Sequence, residues 1–273
     1  MSFNLASYYY TGKNYDISSQ DTNAVGLFFS SDGLNMYVSG NAASNNKVWQ
    51  YSLATAWDVT TATYASKFYD FGPTGSSIKG LFFSSDGTKM YVIDSFGLET
   101  YCVMLTSAWD ISTASSLITG YNLELTDSGP QGIAFSSSGT IFYMVGSQNN
   151  CINAWNVSPA WSVNGGISYA GLYQLSDVVC SGISFTSDGL NMIYTGYSKQ
   201  LHQNDLLVAW DINSSSFDKS HDISAQVINA DGTYITNDLK HIYAVDSGNA
   251  KVFQYQQVPP QGLVFAALWH NRG

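Results

Sequence analysis

"GLFFSSDGLNMYVSGN", residues 26–41, decides the fold. Residues 27–29 and 36–38 are short apolar runs, and Asp32-Gly33 stands between them. An Asp-Gly pair between apolar runs is a hairpin signal, because glycine accepts the positive φ that a tight turn needs. The flanking aromatic and β-branched residues suit a pleated surface.

The hairpin recurs. Residues 80–87 repeat "GLFFSSDG" letter for letter, "GIAFSSSGTIFYMVG" begins at Gly132, "GISFTSDGLNMIYTG" at Gly182, and a weaker copy, "GTYITNDLKHIYAVD", at Gly232. The spacings are 54, 52, 50 and 50 residues. A third strand follows each hairpin, as in "KVWQYSL", "TYCVML" and "KVFQYQ". Then come a turn bearing Trp57, Trp109, Trp161 or Trp210 and a fourth strand such as "TYASKFYDF". Four short strands without helical periodicity, repeated at about 50 residues, are the pattern of propeller blades.

The fifth unit breaks off before its tryptophan turn, and the N-terminus supplies what is missing. Phe3 lies 23 residues before Gly26, as Trp57 lies 23 before Gly80, so "FNLASYYYTGKNYDI" aligns with "WDVTTATYASKFYDF". An open arc of blades would expose unpaired edges, and an N-terminal strand in the last blade removes them. The expectation is an all-β, five-bladed β-propeller with four antiparallel strands per blade, over residues 1–258. Residues 1–25 complete the last blade, and residues 259–273 form a C-terminal tail.

Composition narrows the function. Only 11% of the 273 residues are charged and the net charge is -10, so no basic stripe exists for a nucleic-acid partner. Cys102, Cys151 and Cys180 are odd in number and form no CxxC, which argues against a disulfide framework or a zinc site. The N-terminus lacks the pattern of a signal peptide, and the apolar run at residues 263–268 is too short to span a bilayer. His202, His221, His241 and His270 are scattered, with no HxH or HExxH spacing, so neither a metal nor a cofactor is expected.

Three recurring features have two readings each. The Asp-Gly turns at Asp32, Asp86 and Asp188 read as turn chemistry rather than a ring of carboxylates, since Ser138 replaces Asp in the third copy. Asp16, Asp70 and Asp222 read as turn caps between blades. Trp57, Trp109, Trp161 and Trp210 either pack the corner between third and fourth strands or stack sugars between blades. The inner strands, read from each glycine as "LFFS", "LFFS", "IAFS", "ISFT" and "TYIT", hold no acid, and no GxSxG elbow or phosphate loop occurs. That points away from an enzyme. The tail is the one segment outside the repeat. Leu263, Val264, Phe265, Leu268 and Trp269 would supply apolar contact to a partner, and Arg272 a polar tie.

The unit "SSDGxxMYV … VxQYxLxTAWDVxTATY" resembles the propeller repeats of bacteriophage structural proteins and is more distantly similar to the YVTN class of repeats. The resemblance covers residues 1–257. It implies a non-enzymatic virion component, made in the host cytoplasm, as a tail, fibre or head-decoration module. Such a module would act in assembly through other virion proteins or in attachment to a host-surface glycan. The alternative expectation is a lectin-like, glycan-binding propeller; a glycoside-active enzyme comes third. Two departures stand out: Ile193 where other copies have Tyr, and the missing tryptophan of the fifth unit.

Overall fold

The computed structural model describes residues 3–42, 46–124, 126–175 and 179–258. The chain opens with β1 (Tyr8–Asp16). Blade 1 is β2 (Ala24–Phe29), β3 (Asn35–Gly40), β4 (Lys47–Leu53) and β5 (Ala62–Asp70). Blade 2 is β6 (Ile78–Phe83), β7 (Lys89–Asp94), β8 (Glu99–Leu105) and β9 (Ala114–Asn122). Blade 3 is β10 (Pro130–Phe135), β11 (Ile141–Gly146), β12 (Cys151–Val157) and β13 (Ile167–Gln174). Blade 4 is β14 (Cys180–Phe185), β15 (Asn191–Gly196), β16 (Gln200–Leu206) and β17 (Ser215–Asp222). Blade 5 contributes β18 (Ala230–Ile235), β19 (His241–Asp246) and β20 (Lys251–Gln257). Its fourth strand is β1, in the order β1-β20-β19-β18, so the expected closure by the N-terminal strand is present. Tyr8 lies opposite Gln257 and Asp16 opposite Lys251, antiparallel. No described helix is long and apolar enough to cross a membrane.

The residues before β1 behave as blade residues too. Asp58, Asp110 and Asp211 each accept a hydrogen bond from a backbone N–H two residues on, at the start of a short 3-10 turn, and Asn4 does the same for Ala6. A side-chain oxygen here satisfies one of the backbone donors that a helical turn leaves open.

The innermost strands, β2, β6, β10, β14 and β18, pack directly against one another around the axis. The repeated glycine makes this possible. A Cβ at Gly80 would lie 2.7 Å from the Gln131 carbonyl, one at Gly132 2.6 Å from Ser181, and one at Gly182 2.3 Å from Asp231. No real Cβ tolerates these distances, so this inner-strand glycine is a condition of ring closure.

Neighbouring blades are tied in one rotational sense. The Tyr37 hydroxyl donates to the Trp109 carbonyl at 2.5 Å, Tyr91 to Trp161 at 2.7 Å, Tyr143 to Trp210 at 2.5 Å and Tyr243 to Trp57 at 2.6 Å. Each bond runs from one blade to the next. This explains both departures noted in the sequence: blade 4 has Ile193 in place of the donor, and blade 5 has Phe3 in place of the acceptor's residue. The two lie on the same junction, where Ile193, Phe3, Leu5 and Tyr8 share an apolar cluster instead. Outer-strand lysines add a second tie. Lys13 meets Asp58 at 2.6 Å, Lys67 meets Asp110 at 2.8 Å, and Lys219 donates to Asn4 at 3.1 Å.

Candidate functional site

The hairpin turns and inner strands converge on one mouth of the central channel. Its rim is a ring of polar, exposed side chains from one repeat position: Ser31, Ser85, Ser137, Ser187 and Asn237. Three residues earlier in each blade, on the inner strand, stand Phe28, Phe82, Ala134, Ser184 and Tyr234. Trp109, Trp161 and Trp210 complete the wall, and the funnel encloses a cavity of about 220 Å³. Among the described residues, no charged side chain lines it.

The tryptophans serve two ends at once. Each has positive φ, with its N–H on the carbonyl of the turn glycine, as in Trp109 to Gly87 at 2.9 Å and Trp210 to Gly189 at 2.9 Å. The indole covers that glycine so closely that a Cβ on Gly87 would lie 2.3 Å from the ring of Trp109. Trp109, Trp161 and Trp210 also line the funnel, whereas Trp57 does not.

The turn carboxylates do turn work. Asp32 accepts from the Ser30 hydroxyl at 2.6 Å and from the Leu34 N–H at 3.0 Å, and Asp86 and Asp188 repeat the pattern. These bonds hold the Asp86 carboxyl below its ordinary range, led by the one from Ser84. Asp16, Asp70, Asn122 and Asp222 accept from the N–H two residues on. In the remaining blade that place belongs to Gln174, opposite Cys151.

The opposite end of the channel is built from the residue before each blade glycine: Val25, Lys79, Gln131, Ser181 and Asp231. Between the ends lies a narrow waist formed by Leu27, Leu81, Ile133, Ile183 and Thr233 with the glycines, leaving about 20 Å³ of free space. Asp231 is buried and accepts from the Ser247 N–H at 3.1 Å. Burial pushes its carboxyl up to about 6, with Ser247 and Lys79 acting the other way. Burial also lowers the Lys79 ammonium, opposed by the charge of Asp231. The expectation of acid-free inner strands therefore fails. β18 begins at Ala230, two residues before the glycine from which the repeat is read, and so carries Asp231.

Among the described residues no group of three or more His, Cys, Asp or Glu could hold a metal ion. Cys102, Cys151 and Cys180 are free and buried, and burial raises the Cys102 thiol to about 11. Leu263, Val264, Phe265, Leu268, Trp269 and Arg272 lie outside the described residues.

Neither mouth was visible as a site from motifs. The signal that could have found the funnel is a column of the repeat. Phe28, Phe82, Ala134, Ser184 and Tyr234 vary between neighbours that hardly change, and a varying column in a repeat built for packing marks a surface with another duty.

No family model and no curated protein matches the chain. Solved propellers do. A candidate 6-phosphogluconolactonase from Bacteroides uniformis is 14% identical with a TM-score of 0.50, over 85% of this chain and 66% of that one. The periplasmic gluconolactonase PpgL of Pseudomonas aeruginosa is 11% identical with a TM-score of 0.50, over 86% and 66%. The β-propeller domain of Cps50 (Swd1) from Myceliophteria thermophila is 10% identical with a TM-score of 0.50, over 90% and 100%. The chain spans between 55% and 66% of the length of the lactonase structures it matches. At these identities the likeness is one of fold. It nevertheless corrects the expectation of a non-enzymatic phage virion or lectin-like module: two of the propellers just described are named as lactonases, and neither is a phage protein. With Asp231 on an inner strand, the absence of an inner-strand acid no longer argues against an enzyme.

Proposed function

We propose that this propeller binds a small uncharged molecule in the funnel at the mouth of its channel. The observation that carries this reading is a 220 Å³ recess walled by three indoles, floored by aromatic rings, rimmed by hydroxyls, and free of any charged side chain. Concave, mostly apolar recesses with a few convergent polar groups are where small ligands bind. The chain's net charge of -10 adds a field that disfavours anions, and no described lysine or arginine lines the funnel to offset it. A phosphorylated ligand is therefore disfavoured on charge, and an uncharged one with an apolar face and polar edge fits.

The test is a set of small molecules in matched uncharged and anionic forms, followed by tryptophan fluorescence. Uncharged members should bind. Ser137→Arg, on the exposed rim, should abolish binding without lowering the melting temperature. Preference for the anionic forms, or binding that survives the arginine, would overturn the reading.

A second reading, turnover at the other mouth, is favoured by Asp231 and Lys79. A buried carboxylate that titrates near 6 suits a general base at neutral pH. For an uncharged cyclic ester, Asp231 would take a proton from water as the water oxygen attacks the carbonyl carbon, with Lys79 beside the developing oxyanion. The ring C–O bond then breaks, and the proton passes to the leaving oxygen to give the open hydroxy acid. Gluconolactone, the substrate named for one structural neighbour, is an uncharged test compound of this class. Hydrolysis above background that is lost in Asp231→Asn supports this reading, and no hydrolysis removes it. The repeat's resemblance to phage propellers stands as a proposal about the origin of the unit and assigns no role.

A further inference from the structure

Three of the four repeat tryptophans are stacked by a ring from the preceding blade. Tyr234 stacks on Trp57 with centroids 6.3 Å apart and planes 16° apart. Phe28 stacks on Trp109 at 6.4 Å and 13°, and Phe82 on Trp161 at 6.4 Å and 24°. The residue that should cover Trp210 is Ala134, which has no ring. Among the described residues Trp210 keeps a ring contact with Phe185 alone, at 5.5 Å. Phe185 records the same vacancy. Its counterparts Phe29, Phe83, Phe135 and Ile235 are buried, and Phe185 is not. The next inner-strand position, Ser184, is also small. Its hydroxyl accepts from the Ile235 N–H at 3.3 Å and keeps its own hydrogen to donate.

We infer that the funnel takes a planar, uncharged ring that stacks on Trp210, the funnel indole that no described ring of the preceding blade covers, its polar edge toward Ser184 and the serines of the rim. This rests on the reading of the funnel as a ligand site and names the ligand's class. Size agrees: an apolar cavity of about 150 Å³ holds a benzene ring, and this one, at about 220 Å³, holds a ring with a polar substituent. Aromatic faces prefer offset stacking at centroid distances of about 4.5–7 Å, the range the three filled positions show. A saturated ring presents no such face.

Benzamide and cyclohexanecarboxamide, which share one uncharged polar group and differ in planarity, are the probes, titrated by saturation-transfer NMR. Benzamide should bind the wild-type protein at least tenfold more tightly. Ala134→Phe, which puts a ring where three other blades carry one, should weaken benzamide at least tenfold in the folded variant. Should that variant fail to fold, Trp210→Leu serves instead: it should remove the preference for benzamide over the cyclohexane probe. Equal binding of the two probes, or benzamide binding unaltered in Ala134→Phe or Trp210→Leu, would overturn the inference. If both probes bind equally and Ser137→Arg removes both, the funnel remains a ligand site and only the planar class falls. If neither probe nor any uncharged molecule of the wider set binds, the funnel reading itself falls.

Discussion

Removing a single hydroxyl at equivalent places in two blades should give unequal losses. In blade 1, the Trp109 carbonyl accepts from Tyr37 at 2.5 Å and also from the Gln50 side-chain amide at 3.1 Å. In blade 3 the equivalent of Gln50, the residue opposite the tyrosine on the next strand, is Ala154. Tyr143 is thus the one described side chain on the Trp210 carbonyl. Both tyrosines are fully buried, and burial holds each phenol well above its ordinary range, so both are donors at any working pH. Tyr143→Phe leaves a carbonyl without its partner, which costs about 1–3 kcal/mol, whereas Tyr37→Phe leaves Gln50 in place and should cost about 0.5–1.5 kcal/mol. At about 2–4 °C per kcal/mol for large domains, the gap in melting temperature is a few degrees. Urea unfolding followed by tryptophan fluorescence measures both variants on one scale. Equal losses, or a larger loss in Tyr37→Phe, would refute the argument that these hydroxyls hold the blades together by satisfying the next blade's carbonyl.

Asp231 should make stability fall as pH rises. Its folded pKa, about 6, lies above that of the unfolded chain, so the folded state holds the proton more tightly. The contribution is present below about pH 4 and is lost by about pH 6, roughly 3 kcal/mol in all. In Asp231→Asn that slope should vanish, and parallel urea midpoints for the two proteins from pH 4.5 to 7.5 would contradict it. Gly182→Ala places a Cβ 2.3 Å from the Asp231 carbonyl, so it should cost about 1–3 kcal/mol by equilibrium unfolding, and a neutral result would mean the inner strands can part. Deleting residues 1–17 strips β1 from β20 and should yield aggregate in size-exclusion chromatography, where a well-folded monomer would argue against closure by this strand.

The blades were legible because each is specified locally. Alternating apolar residues, an Asp-Gly turn and a tryptophan corner recur at fixed spacing, and Phe3 betrays where the first blade's predecessor ends. The funnel was not legible, because a motif names residues that stay the same, whereas a ligand recess in a repeat protein is formed by those that differ. Ala134 and Ser184 look like harmless variants of Phe28 until the ring sets them side by side. Asp231 escaped for a simpler reason. It precedes the glycine that marks the repeat, and its column of Val25, Lys79, Gln131, Ser181 and Asp231 has no common chemistry to notice. The link between Ile193 and Phe3 also needed the fold, since the two are 190 residues apart in sequence and meet only across a junction.

The pairing of β1 with β20 also sets how the ring yields to force. Tyr8 sits opposite Gln257, and the Val258 N–H donates to the Ser7 carbonyl at 2.7 Å, so the two strands leave the closing blade side by side at one end of their ladder. A load applied through both strands peels that ladder one bond after another instead of shearing all of them together. A propeller that resists heat through its packed interior would then open under modest tension, first at Tyr8 and last at Asp16. Single-molecule pulling from these two attachment points should show a small early rupture, the length of β1, before any blade gives way.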